Sequence, residues 1–220
     1  VYKACIFDLD GTLSDTLNSI AYFANNALEK FGLAPIPTER YKILVGDGAK
    51  NLVRRMMEEN NCNNEALFEK LFEYYNSTYN NDFLYLTKVY DGIYELLELL
   101  KSEGIKIAVL SNKPHETTTR VVGALFCEDY FDACYGGRDG IPLKPDPYAL
   151  CEILKELGVA ARQCLYIGDT KVDMQTGKNA NITTVGVLWG FRGEDELREN
   201  GADIIVKKPI EIYEYIKKRP

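Results

Sequence analysis

Lys3-Ala4-Cys5-Ile6-Phe7-Asp8-Leu9-Asp10-Gly11-Thr12 reads as a short apolar strand that stops in two carboxylates and a turn. Its apolar part is continuous rather than alternating, as in strands buried on both faces of a parallel sheet. Gly11 suits the turn that leaves the strand. Similar runs recur at residues 105–110, 164–167, 183–188 and 204–206, with a weaker one at 132–135. Helical periodicity lies between them. Ile93, Leu96, Leu97 and Leu100 repeat at helical spacing, as do Tyr148, Leu150, Ile153, Leu154 and Leu157 ahead of the stop signal Gly158. Strands alternating with helices predict an α/β fold with a doubly wound parallel sheet.

One stretch interrupts the alternation. Residues 16–83 contain no good strand but show helical patterns at 17–31, 48–59 and 65–79. Leu67, Phe68, Leu71, Phe72 and Tyr75 form an apolar stripe at helical spacing, best read as helix packing. Pro35 and Pro37 mark a break, with Thr38 as the expected N-cap of the next helix. The predicted organisation is a catalytic core from residues 1–15 and 84–220, with a small all-helical cap domain, 16–83, inserted after the first strand.

Composition narrows the function. The 220 residues are 46% hydrophobic and carry a net charge of −7. That balance argues against nucleic-acid binding through a basic surface. No apolar run is long enough to span a bilayer, and residues 1–8 hold no signal-peptide pattern, so a cytoplasmic protein is expected. The basic clusters Lys207-Lys208 and Lys217-Lys218-Arg219 read as solvated helix ends. Six cysteines without C-x-x-C spacing and a single histidine, His115, argue against a structural zinc site and point to buried, reduced thiols.

The chemistry stands where strands end. After Asp8 and Asp10 come Ser111-Asn112-Lys113, then Gly168-Asp169-Thr170 with Asp173 one helical turn on. Open parallel sheets bind ligands at the carboxyl ends of their strands. Several carboxylates brought to one edge repel each other unless a cation joins them. An oxygen-only set with no His or Cys selects a hard ion, and Mg2+ suits a phosphate site. Lys144-Pro145-Asp146-Pro147 adds a lysine held by a stiff loop, with Pro147 suited to the first turn of a helix.

In that order, Asp8-x-Asp10-Gly11-Thr12, Ser111, Lys144-Pro145 and Gly168-Asp169-Thr170-x-x-Asp173 resemble the signature of the haloacid dehalogenase-like hydrolase superfamily. The resemblance implies a Rossmann-like core and phosphoryl transfer with Mg2+. It makes Asp8 the nucleophile and a metal ligand. Asp10 becomes general acid and base, with its main-chain carbonyl on the metal. Ser111 would bind a phosphate oxygen, Asn112 would contact the phosphoryl group, and Lys144 would neutralise charge. Asp169 would ligate the metal, and Asp173 would hold it directly or through water. Asp10 separates this pattern from true dehalogenases, which lack the second carboxylate. Gly177-Lys178 does not complete a P-loop, no Cys is followed six residues later by Arg, and one His cannot make a His-pair phosphatase.

Val45-Gly46-Asp47-Gly48-Ala49-Lys50-Asn51-Leu52-Val53 resembles the cap loop of phosphoglycolate phosphatases, with Gly48 and Lys50 as expected substrate contacts and Arg54 and Arg55 as nearby cations. Trp189-Gly190-Phe191-Arg192 resembles the same subgroup. The expected substrate is a small phosphorylated metabolite, phosphoglycolate first. Pyrophosphate or a sugar phosphate, a β-phosphoglucomutase-like transfer, and a phospho-aspartate signalling switch are the alternatives. No nucleic-acid or membrane partner is expected, and the chain should be a monomer or homodimer.

Overall fold

The computed structural model describes residues 1–127 and 129–218. The chain forms two compact units, one from Val1–Asp15 with Val89–Pro220 and the other from Thr16–Lys88. In chain order the first unit carries β1 (Ala4–Phe7) and β2 (Ser14–Asp15). The helical unit follows with α1 (Leu17–Lys30), α2 (Thr38–Leu44), α3 (Ala49–Glu59) and α4 (Glu65–Asn81). After β3 (Lys88–Val89) come α5 (Ile93–Ser102), β4 (Lys106–Pro114), α6 (His115–Phe126) and β5 (Ala133–Gly137). The chain continues through α7 (Tyr148–Leu157), β6 (Cys164–Gly168), α8 (Lys171–Asn179), β7 (Thr183–Val187), α9 (Glu194–Glu199), β8 (Ile204–Val206) and α10 (Ile210–Lys217).

Six strands form one sheet in the order β5-β4-β1-β6-β7-β8, and all their pairings are parallel. The fold class expected from the alternation is the one observed. β1 is central and its four residues are fully buried. Because successive side chains point to opposite faces, Ala4 and Ile6 join Ala108, Leu110, Cys164 and Tyr166 on one face. There they pack with Leu150, Ile153, Leu154 and Leu157 of α7. Cys5 and Phe7 point to the opposite face and are equally buried. Burial on both faces explains the continuous apolar run.

β4 departs from expectation. It does not stop at residue 110 but runs to Pro114, with a register shift against β5 between Leu110 and Pro114. The polar residues Ser111, Asn112 and Lys113 sit in that irregular stretch. Extra residues that fall out of ladder register are what a β-bulge provides, and bulges re-aim side chains near functional sites.

In the helical unit, Phe68, Leu71 and Tyr75 of α4 are buried, while Leu67 and Phe72 are half-buried. Asn25 on α1 exchanges two hydrogen bonds with the Ile36 backbone and accepts a third from the Tyr41 hydroxyl. Those bonds tie the proline-containing connection to α1. Thr38 is not the N-cap of α2: Pro37 holds that position and Thr38 opens the helix. Likewise Pro147 caps α7 from one residue outside it.

All six cysteines are free. Cys5 and Cys164 are buried, but Cys127 is exposed and the other three are half-buried, so burial holds only for part of the set. Lys207 and Lys208 are exposed. Lys217 ends α10 and pairs with Glu103 at 3.0 Å, whereas Arg219 lies outside the described residues. Among the described residues no helix is long and apolar enough to cross a membrane.

Ile6→Ala, at a fully buried position of the central strand, should cost about 2–5 kcal/mol through lost transfer energy and a cavity. A urea titration should show a lower midpoint with an unchanged slope.

Candidate active site

The loop after β1 is set by its own hydrogen bonds. The Leu9 carbonyl accepts from the Leu13 and Ser14 amides, each at 3.0 Å, and Gly11 N–H donates to the Ser14 carbonyl at 2.8 Å. Asp8 N–H donates to the Ile167 carbonyl at 2.9 Å, so β1 and β6 stay paired up to the first carboxylate. Gly11 has a φ of +87°, a conformation that favours glycine.

Asp8, Asp169 and Asp173 converge and are all buried. One carboxylate oxygen from each lies within 4.8 Å of the others. Lys144 stands among them. Its Nζ is 2.9 Å from Asp8 Oδ1 and 2.7 Å from Asp173 Oδ1, and it also donates to the Leu110 carbonyl at 3.3 Å. Burial works against the Lys144 charge, but Asp173 and Asp8 outweigh it and hold the ammonium pKa well above its ordinary value. Asp8 goes the other way. Burial, aided by the negative charges of Asp173 and Asp10 and opposed by Lys144, raises its carboxyl to about 7. Burial first, and then Asp173 and Asp8, also push Asp169 well above the usual carboxylate range.

Asp173 is heavily bonded. Oδ1 accepts from Lys144 Nζ and from the Tyr166 hydroxyl at 3.1 Å, while Oδ2 accepts from the Thr170 amide at 3.1 Å and hydroxyl at 2.8 Å. The Thr170 bonds form a capping box at the start of α8. Asp169 is held by Thr12 Oγ1 at 3.2 Å and Phe191 N–H at 2.8 Å. A Cβ on Gly11 or Gly190 would collide with the Asp169 carboxylate, and one on Gly168 would collide with Asp173. Glycine at these places lets the backbone approach the carboxylates closely. The Trp189 indole N–H donates to the Thr12 carbonyl at 2.9 Å and so braces the Asp10 loop.

Asp10 Oδ2 pairs with Lys113 Nζ at 3.0 Å. Its Oδ1 is buried and has no hydrogen-bond partner among the described residues. Ser111 is 4% exposed and its Oγ accepts from Lys113 N–H at 3.2 Å. The Asn112 side chain reaches the lysine loop. Its amide donates to the Lys144 carbonyl at 3.1 Å, and its Oδ1 accepts from Lys144 N–H at 2.8 Å. These two bonds tie the Asn112 carboxamide to the Lys144 backbone and so fix the lysine loop.

Gly48 and Lys50 belong to the helical unit. Gly48 is the N-cap of α3 with a φ of +97°. Lys50 Nζ lies 5.8 Å from the Phe72 ring centroid. Arg55 makes a two-pronged pair with Asp47, and Arg54 pairs with Glu65 at 3.0 Å. These two arginines thus serve contacts inside their own unit.

Sequence reasoning assigned no role to Tyr166, Lys113 or Thr12. Tyr166 carried a faint signal as the one side chain with a hydroxyl in an otherwise apolar strand. Lys113 adjoins Ser111-Asn112, but nothing in a sequence shows that its ammonium turns back to Asp10.

The chain is similar to known proteins over most of its length. A family model described as haloacid dehalogenase-like hydrolase matches residues 5–187. The chain belongs to that hydrolase family. It is 34% identical over 222 residues to a phosphoglycolate phosphatase of Neisseria meningitidis, covering 98% of this chain and 94% of that protein. It is 30% identical over 207 residues to a phosphoglycolate phosphatase of Haemophilus influenzae, covering 92% of each. The crystal structure of a candidate phosphoglycolate phosphatase from Lactobacillus delbrueckii subsp. bulgaricus superposes with a TM-score of 0.91 at 32% identity, covering 98% of both chains.

Buried Asp8 should take up a proton near neutrality in the metal-free protein. A carboxyl raised above its unfolded value favours folding most at low pH, and that contribution is lost as pH rises from about 4 to about 7. A divalent cation competes with the proton. Mg2+ should therefore raise Tm more at about pH 8 than at about pH 6 in a dye-based melt. Asp169→Asn should shrink that difference.

Proposed function

We propose that this chain is a magnesium-dependent phosphatase that hydrolyses phosphoglycolate through an aspartyl-phosphate on Asp8. One observation carries the reading: a lysine ammonium sits between Asp8 and Asp173, with Asp169 converging on the same place and Asp10 on the same loop as Asp8. A solvated turn would not bury such a cluster, because unpaired charges are costly away from water. The named relatives support phosphoglycolate as the substrate.

The residues fit Mg2+. The donors are all oxygens, they converge, and burial leaves Asp8 and Asp169 short of positive charge. Asp8, Asp169 and the Asp10 carbonyl would hold the ion. Asp173, already engaged by Lys144, Tyr166 and Thr170, would support it from behind. When bound, Mg2+ supplies positive charge to the phosphoryl oxygens and the attacking carboxylate.

The chain's own groups do the rest. Lys144 holds Asp8 Oδ1 and orients the carboxylate, and the other oxygen attacks phosphorus. The phosphorus–oxygen bond to the leaving alkoxide breaks as Asp10 delivers a proton to that oxygen. Asp10, now a carboxylate, takes a proton from water. That water attacks phosphorus, the bond to Asp8 breaks, and phosphate leaves with Asp8 restored. Ser111 donates its hydroxyl to a phosphoryl oxygen, and Lys144 offsets the charge that builds there.

The test is a panel of small phosphate esters with Mg2+ present. Phosphoglycolate should exceed sugar phosphates and pyrophosphate in kcat/KM by at least about tenfold, or about 1.4 kcal/mol of transition-state discrimination. A faster rate on pyrophosphate or a hexose phosphate would overturn the substrate. EDTA should abolish turnover. Asp8→Asn should lose at least about 1,000-fold in kcat while remaining folded by circular dichroism; retention of a tenth of the activity would refute the nucleophile.

A further inference from the structure

Tyr166 takes no step in the chemistry above, yet it is fully buried and places its hydroxyl 3.1 Å from Asp173 Oδ1. We propose that Tyr166 is a positioning residue that divides the Lys144 ammonium between Asp173 and Asp8. The inference rests on the phosphatase reading of this site and adds a group from the apolar core to its machinery. Tyr166 acts through Asp173 and Lys144, not on the substrate.

The strand gives no reason of its own for a hydroxyl. Every residue of β6 is buried. The Tyr166 side chain belongs to the apolar cluster that holds Ala4, Ile6, Leu110, Leu150 and Ile153. Phenylalanine would fill that place without taking a polar group out of water, which costs free energy unless a partner receives it. The partner here is Asp173 Oδ1, and a phenol at neutral pH keeps its proton and donates. Close packing fixes the ring, so the hydroxyl stands at one place.

Donor counting shows what that place does. A carboxylate offers about four lone-pair sites. On Asp173 the Thr170 amide and hydroxyl use Oδ2, while Lys144 and Tyr166 share Oδ1. Lys144 is equally committed. Its ammonium meets Asp8 Oδ1 at 2.9 Å, Asp173 Oδ1 at 2.7 Å and the Leu110 carbonyl at 3.3 Å. Two carboxylates therefore compete for one cation. An O–H donor to a carboxylate makes a charge-assisted bond. On Asp173 Oδ1 it offsets part of that oxygen's charge and weakens its hold on the lysine. Without the hydroxyl, Asp173 draws the ammonium harder, and Asp8 keeps less of the charge that orients it and offsets the phosphoryl group. Lys144 and Mg2+ also draw on the same Asp8 carboxylate. A lysine pulled toward Asp173 leaves Asp8 more negative toward the ion.

The experiment uses Tyr166→Phe, which removes the hydroxyl and keeps the ring, whose centroid lies 5.9 Å from the Lys144 ammonium. Two properties are measured: kcat and KM for the best ester of the panel, and the Mg2+ Kd of the substrate-free protein by calorimetry. In Tyr166→Phe kcat should fall at least about tenfold with KM within about threefold of wild type. The Mg2+ Kd should also fall, by at least about threefold, so that the ion binds more tightly while the chemistry slows. A hydroxyl that only props the site would weaken both, so an unchanged or raised Kd overturns the proposal. A kcat within about twofold of wild type overturns it as well. Ile153→Val, which thins the same apolar cluster and leaves the hydroxyl, should move neither property by more than about twofold. If it reproduces the Tyr166→Phe pattern, the role is packing and the proposal falls. Wild-type inactivity toward every ester removes the phosphatase reading alone, and the Mg2+ comparison still decides whether Tyr166 sets the charge on Asp8.

Discussion

Everything at this sheet edge depends on one ammonium. Lys144 Nζ is shared by Asp8 and Asp173, and without it three buried carboxylates would face one another with little to offset them. A charge removed from water needs a partner at close range. The rest of the loop exists to deliver that charge. Asn112 clamps the Lys144 backbone through both ends of its carboxamide, and the Asn179 side chain donates to the Pro145 carbonyl next door.

The sheet brings the participants together by its strand order. β4, β1 and β6 are adjacent, so residues following three strands far apart in sequence open onto one edge. Registration is tight. Phe7 lies opposite Val109 on one side and Ile167 on the other, which places Asp8 next to the turn that carries Asp169. A slip of one residue in either pairing would send the alternating side chains to the wrong face. The apolar packing of β1 is thus what holds the carboxylates in place.

Much of this could be read without coordinates. The strands of the core, the helical interruption and the strand-end polar groups each have a local signature in residue type and spacing. The same holds for Asp8, Lys144, Asp169 and Asp173, which follow strands or rigid turns. What escaped was relational. Nothing in its residue type showed that the Asn112 carboxamide would bond the Lys144 backbone at both ends. Lys113 meets Asp10 from a stretch where β4 loses its regular register past Leu110, and a single sequence carries no sign of that irregularity. Thr38 lost the cap position to Pro37, whose fixed φ already suits the entry to a helix.

Asp173 binds two structural roles into one side chain. One of its oxygens closes the capping box at the start of α8, and the other anchors the Lys144 ammonium and the Tyr166 hydroxyl. The opening turn of a helix and the charge balance of a pocket are therefore one mechanical object. Fraying of that turn would take away one of the three partners of the Lys144 ammonium and leave it to Asp8 and the Leu110 carbonyl. The pocket's charge balance thus leans on a few hydrogen bonds at a helix end as well as on the apolar core beneath it.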